Sequence, residues 1–337
     1  YYSYGDRTMT TKLRAASFQN SLIDSAMIPT NAITSTKIAD GAVDSDAIGS
    51  SAVVSTKIAA ASITTSKLSA ASGFFDTSTG GTITEYSSGG TDYRVHSFLS
   101  GTSVLSFTEA KTIDFLIVGG GGGSAAAEGY QGASGGAGAG GMVVGTSQSL
   151  AAGDYTVVVG IGGAKSTNVA VQGNPGGNSS FNNFVGTGGG FGPDYGTPGG
   201  NGGSGAGGSE NLTAAGTSTQ DTYSGTTNVT GYGNAGGAGG NYSSGVTGSG
   251  GGGGAGGAGT SGLVSSATAA GGVGLANSFR TGSSVTYARG GNGYAGDNNS
   301  ADEAANTGNG AHGVSTVSGG NTNSGNGGSG IVIIKFL

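Results

Sequence analysis

The chain has 337 residues, of which 78 are glycine and only 9% are charged. Glycine gives up more backbone entropy on ordering than any other residue, and many of the 34% hydrophobic residues are alanine, so a conventional side-chain core is excluded. Twelve Lys+Arg against 18 Asp+Glu leave no basic field for nucleic acid; no run of 18 apolar residues is present to insert as a membrane span, and zero cysteines exclude disulfides and thiolate metal sites.

Residues 1–10 are a short stub. The sequence starts at Tyr1 and shows no signal peptide, which reads as a processed chain or a fragment. Residues 11–70 form a repeat. The decads NAITSTKIAD, GAVDSDAIGS, SAVVSTKIAA and ASITTSKLSA align without a gap from Asn31 to Ala70. Apolar residues recur five apart, including Ile23, Ile28, Ile33, Ile38, Val43, Ile48, Val53, Ile58, Ile63 and Leu68. A helix turns about 100° per residue, so this spacing makes no stripe on a helix. In a flat strand it would send successive apolar residues to opposite faces. The chain must therefore bend once per pentad. An intertwined homotrimer with the apolar residues on its axis and a monomeric four-sided coil both fit. One large apolar residue in five is thin for a lone chain, which favours the trimer. Lys37, Lys57 and Lys67 recur at one decad position and read as a solvated edge.

Residues 71–118 alternate apolar and polar positions, in GFFDTSTGGTITEY, DYRVHSFLSGTSVLSF and TIDFLIV, separated by glycine-containing turns. They predict a small antiparallel β module. Residues 119–330 are about one-third glycine, interrupted early by strand-like GMVVGT and DYTVVVGI, and residues 331–337 (IVIIKFL) predict a closing strand. A glycine content near one-third suits an extended helix of three residues per turn, but four prolines and no Gly-X-Y register exclude collagen. The expectation is packed polyglycine II-like strands, with backbone hydrogen bonds replacing the missing core. Richer segments such as GGGFGPDYGTPGG, STQDTYSGTTNVTGYGN and NSFRTGSSVTYARGGNGYAGDNN are expected to be loops at the ends of these runs. The fold class is thus all-β and extended.

No motif for chemistry survives. GIGGAKS, Gly160 to Ser166, lacks the glycine before Lys165 that a phosphate loop needs. The glycines after Val118 precede no helix, so the dinucleotide reading fails. His96 and His312 read as a β-module and a loop histidine, and only residue types would support a serine-histidine-acid site. Asp44 and Asp46 lack calcium-loop spacing. No catalytic residue, metal site or cofactor is expected. Tyrosines spaced through side-chain-poor sequence either plug gaps or form a contact surface, since tyrosine offers apolar area with a hydroxyl. Tyr195, Tyr223, Tyr232, Tyr242 and Tyr294 are the receptor-binding candidates.

The ordered string YRVHSFLSGTSVLSF, IDFLIVGGGGG, GAGAGGMVV, DYTVVVGIGG, NPGGNSSF and GGSGIVIIKFL resembles the glycine-rich domain of phage tail fibres and related marine viral proteins. The decads similarly resemble ITTAKIADGAV-type repeats of such fibres. The resemblance covers residues 11–70 and about 82–337. It implies a non-enzymatic virion adhesin acting outside the cell, a homotrimer that attaches to a host-surface polysaccharide or outer-membrane protein through loops of the glycine-rich tip, with other virion tail proteins as further partners. About ten residues precede the repeats, too few for a virion-anchoring domain. The alternative is a purely structural extracellular filament. An ice-binding bundle ranks third, and a depolymerase last.

Overall fold

The computed structural model describes residues 30, 32, 34, 38, 77–126, 133–168, 171–241, 248–262, 268–293, 300–315 and 324–337. The chain divides into two units, Tyr1–Ser69 and Ala70–Leu337. In the first unit the described residues are Thr30, Ala32, Thr34 and Ile38, and the Ile38 side chain is exposed on the single chain. The other pentad positions, Ile23, Ile28, Ile33, Val43, Ile48, Val53, Ile58, Ile63 and Leu68, lie outside the described residues, as do Lys37, Lys57, Lys67, Asp44 and Asp46.

The second unit is all-β, with no helix among the described residues. Its strands are β1 (Thr82–Ser88), β2 (Thr91–Phe98), β3 (Gly101–Phe107), β4 (Lys111–Val118), β5 (Met142–Leu150) and β6 (Gly153–Val159). They are followed by β7 (Ser179–Phe181), β8 (Phe184–Gly186), β9 (Val229–Tyr232), β10 (Leu275–Asn277), β11 (Val285–Tyr287) and β12 (Ile331–Phe336). One sheet has the order β1-β2-β12-β4-β5-β9, a second β3-β6-β7-β8, and β10 and β11 form a hairpin. All the named pairings are antiparallel.

The alternation in residues 82–118 and 142–159 is what makes these strands. Gly89 and Gly90 both have positive φ, the requirement of the two-residue hairpin turn that joins β1 to β2. The closing strand does not sit at an edge. β12 pairs with β2 on one side and β4 on the other, so residues about 200 apart in sequence meet in the middle of the sheet. Its first four residues, Ile331 to Ile334, are all fully buried because both sheet faces are covered. Val332, Ile334 and Phe336 face the second sheet with Phe115, Leu105 and Val157; Ile331 and Ile333 face Tyr287, Ala255 and Ala288 on the other side. Each such isoleucine contributes about 1.5–3 kcal/mol of burial, so the sequence's small stock of large apolar residues is concentrated here.

The sheets continue directly into glycine runs. β4 leads into 119–126 and 133–141 returns into β5; β6 leads into 160–168 and 171–178 returns into β7; 324–330 returns into β12. In the first run the hydrogen bonds repeat every three residues. The N–H groups of Gly119 and Gly122 donate to Gly141 and Gly138, those of Gly120 and Gly123 to Gly177 and Asn174, and those of Gly121 and Ser124 to Gly328 and Gly325. These bonds are 2.9 to 3.2 Å long. In return, Gly120 accepts from Gly189, Gly121 from Gly163, and Gly122 from Ala311. The run therefore bonds to six neighbouring segments, antiparallel to the three that accept and parallel to those that donate. Three residues per turn aim successive amides about 120° apart, which is why one run can address three partners.

This packing dictates the composition. A methyl group on Gly120 would overlap the carbonyl of Ile161, on Gly121 that of Asn309, and on Gly122 that of Gly190. Those carbonyls belong to backbone that is itself held by the lattice and cannot step aside. Alanine enters only where space remains, as at Ala137, Ala139 and Ala206, all fully buried. Segments expected to be loops carry some of the short strands: β9 extends the six-stranded sheet, and β10 with β11 covers its outer face.

Candidate functional site

Because the runs 133–141, 171–178 and 324–330 return into β5, β7 and β12, the sheets occupy one end of the bundle, and the turns that join run to run include a set at the opposite, far end. There glycine gives way to serine. Ser124, Ser134, Ser209, Ser315 and Ser324 are buried, and Ser134 both accepts from Val314 N–H at 2.8 Å and donates to its carbonyl at 3.2 Å. A hydroxymethyl group small enough for the lattice satisfies backbone groups where the runs end.

Two far-end turns are tied together. Thr197 N–H donates to Ser209 Oγ at 3.0 Å, and the Ser209 hydroxyl donates to the Thr197 carbonyl at 2.9 Å. The first turn, 194–197, carries Tyr195, 42% exposed; the second, 209–213, carries Leu212, 67% exposed. Val171, at the start of a returning run on the same end, is also exposed. Asn211 and Leu212 have φ of 69° and 58°. The left-handed region costs a side chain such as leucine about 1–2 kcal/mol, and glycine nothing.

Between Ser209 and this pair sits Glu210. It is 1% exposed, and neither carboxylate oxygen has a hydrogen-bond partner among the described residues. Burial pushes its carboxyl up to about 7. Its amide donates to the Ala133 carbonyl at 3.3 Å, and the Leu212 amide to Gly240 at 3.1 Å.

The tyrosine candidates separate. Tyr195 is on the far-end surface. Tyr223 is half-buried and packs edge-on against Phe184, with ring centroids 5.3 Å apart, while its hydroxyl accepts from Val185 N–H at 2.8 Å. Tyr232 is half-buried in β9 against the outer core. Tyr242 and Tyr294 lie outside the described residues. Leu212, Val171 and Glu210 were not anticipated from sequence. The available signal was a lone acid beside a leucine, SENL, in a stretch otherwise built of Gly, Ala, Ser and Thr.

Elsewhere four amides of the Gly160–Ser166 segment are spent within the chain, Gly160 donating to Ser179 Oγ, Gly163 to Gly121, Lys165 to Asn326 Oδ1 and Ser166 to Ser124, so the segment does not converge its amides as a phosphate cradle does. His312 Nδ1 accepts from Asn292 N–H at 2.8 Å, and its Nε2 lies 3.3 Å from Glu303. Among the described residues no group of three or more His, Cys, Asp or Glu converges as a metal site, and no helix is long and apolar enough to cross a membrane.

Residues 97–337 match a family described as a glycine-rich domain. The chain belongs to this glycine-rich domain family. The match starts at Ser97 in β2 and runs to Leu337, so the glycine-rich domain takes in β3 to β12 as well as the runs, while β1 and most of β2 precede it. No curated protein matches the chain.

Proposed function

We propose that this glycine-rich domain is the tip of a phage tail fibre, a non-enzymatic adhesin in which a polyglycine II-type bundle presents its far-end turns to a receptor on a host cell. The observation that carries this reading is Leu212. It is a large apolar side chain, 67% exposed, in a left-handed conformation that glycine would adopt without cost. In a chain with 78 glycines, a leucine here costs stability and leaves most of its side chain facing solvent. Strained, exposed residues of this kind are kept for contact with something else. Tyr195, on the turn bonded to it through Ser209, adds an aromatic surface with low ordering cost.

A host-surface polysaccharide or an outer-membrane protein is the receptor class, engaged by several chains at once; three chains joined through the pentad repeat supply the multivalency. The test is binding of the fluorescently labelled full chain to a panel of bacterial strains. On a strain that binds, Leu212→Asn and Tyr195→Ser are each expected to weaken attachment by roughly tenfold or more, while Val104→Ser, at the sheet end, leaves it unchanged. Loss of binding after protease treatment of the cells assigns a protein receptor, and loss after periodate a polysaccharide. Equal binding by all variants overturns the far-end reading. An open helical assembly of the purified chain would favour the structural filament instead.

A further inference from the structure

We propose that Glu210 is a proton-controlled latch for the far-end turn, holding Leu212 in its displayed position while the carboxyl is protonated and releasing the turn when it ionises. The proposal rests on the reading of the far end as a contact face and concerns how that face is regulated.

The geometry has three parts. Glu210 is 1% exposed and Leu212, two residues on, 67% exposed, so the 209–213 turn points one side chain in and the other out. Both carboxyl oxygens lack hydrogen-bond partners among the described residues, and an ionised carboxylate in that position has nothing to compensate its lost hydration. The turn also contains two successive left-handed residues, Asn211 and Leu212; its ends are held by Ser209 to Thr197 and by Gly239 N–H to the Thr213 carbonyl, and its middle by Glu210 to Ala133 and Leu212 to Gly240, with Thr213 Oγ1 donating back to the Ser209 carbonyl at 2.6 Å.

Among the described residues, no charged side chain on the runs that bracket the turn offsets the buried group. The runs 133–141, 203–209, 213–219 and 233–241, which bracket the turn, contain no ionisable side chain. Asp194 and Tyr195 stand on the adjoining turn, and His312, on the run bridged to Ala133, is engaged with Glu303. Burial alone raises the Glu210 carboxyl. Protonated, the side chain stays in as a neutral group. Ionised, it is driven toward water, and the strained turn loses the anchor that opposes relaxation at Leu212.

The test is amide hydrogen exchange of the full chain, read as protection relative to intrinsic rates, at about pH 5.5 and about pH 8.5. Protection at Glu210 and Leu212 is expected to fall by roughly tenfold or more at the higher pH while Gly122, inside the lattice, keeps its protection. Glu210→Gln, neutral at both pH values, is expected to abolish the difference. A carbon-13 titration of the wild-type Glu210 carboxyl supplies a second reading that requires no variant. A midpoint in the ordinary range near 4.5 overturns the latch, as does the same loss of protection in Glu210→Gln. Recovery of protection at high pH on adding calcium also overturns it, in favour of a cation site. None of these readouts involves a receptor, so failure of the adhesin reading leaves a distinct signature: an intact pH response with no cell binding.

Discussion

The hydroxyl of Ser78 lies 2.9 Å from Nε2 of His96, whose Nδ1 is 2.7 Å from the carbonyl of Gly80. A carbonyl can only accept, so Nδ1 carries a proton; in a neutral ring Nε2 then accepts from serine. This is the arrangement of a nucleophile and its base. Ser78 is 3% exposed and His96 is fully buried, with its ring stacked on Phe336 at 5.6 Å. The pair fastens the chain before β1 onto the sheet. Ser78→Ala is expected to lower stability by about 1–2 kcal/mol in urea denaturation, and the native chain should resist labelling by a fluorophosphonate. Rapid labelling at Ser78 would contradict the fastening role.

The glycine lattice makes a sharper prediction, because two glycines differ only in their surroundings. A Cβ on Gly121 meets the Asn309 backbone, whereas one on Gly225 meets nothing within 4 Å and requires no positive φ. Gly121→Ala should destabilise by about 1–3 kcal/mol through overpacking. Gly225→Ala should be neutral or stabilising by up to about 1 kcal/mol through the unfolded chain. Thermal denaturation of the two variants side by side decides it; equal losses would mean that the close backbone approach is not what selects glycine.

At the opposite end, Asp114 has two tasks. Its Oδ2 is 2.8 Å from Lys335 Nζ, and its Oδ1 accepts from Ser147 N–H at 3.0 Å, beside the register shift between β4 and β5. Lys335 lies between the rings of Tyr93 and Phe279, at 4.4 and 4.6 Å from their centroids. Asp114→Ala should cost about 2–3 kcal/mol, since it strands a partly buried cation and frees the bulge. Ser147, with φ of 52°, should tolerate glycine with no loss of stability. Chemical denaturation of both variants tests whether the bulge depends on the aspartate.

Glu210 sets a pH dependence whose sign can be worked out. Its carboxyl is raised from 4.5 to about 7, so between those values the folded chain holds a proton that the unfolded chain releases. Its contribution is therefore fully present below about 4.5 and is lost as pH rises through about 7. The whole effect amounts to at most about 3 kcal/mol. Wild type should melt at a lower temperature at about pH 8.5 than at about pH 5.5, and Glu210→Gln should narrow that difference. Identical profiles for the two chains would remove Glu210 as the source.

Much of the framework was legible in the amino-acid order. Alternation over residues 82–118, the strand-like pieces near 142–159 and the apolar run at 331–336 correspond to β1 through β6 and β12, because each is long enough for side-chain periodicity to specify a strand. Glycine abundance with few prolines pointed to backbone bonding, since only hydrogen fits where backbone meets backbone, but the expectation that composition excludes a side-chain core was wrong: the strands gather the few large apolar residues into buried clusters around Phe115, Val157, Ile333 and Ile334.

Tertiary structure alone decided the partnerships. One glycine run carries almost no side-chain information to distinguish it from another, so that Gly120 bonds to Gly177 and Gly121 to Gly328 follows from how the sheets aim the runs. The same holds for the site. Tyr195 and Tyr223 look alike in sequence, yet one meets solvent and the other packs on Phe184. Leu212 and Glu210 gain their meaning only from a turn whose backbone sends one outward and the other into the bundle, a direction set by φ angles and neighbouring runs that local sequence does not encode.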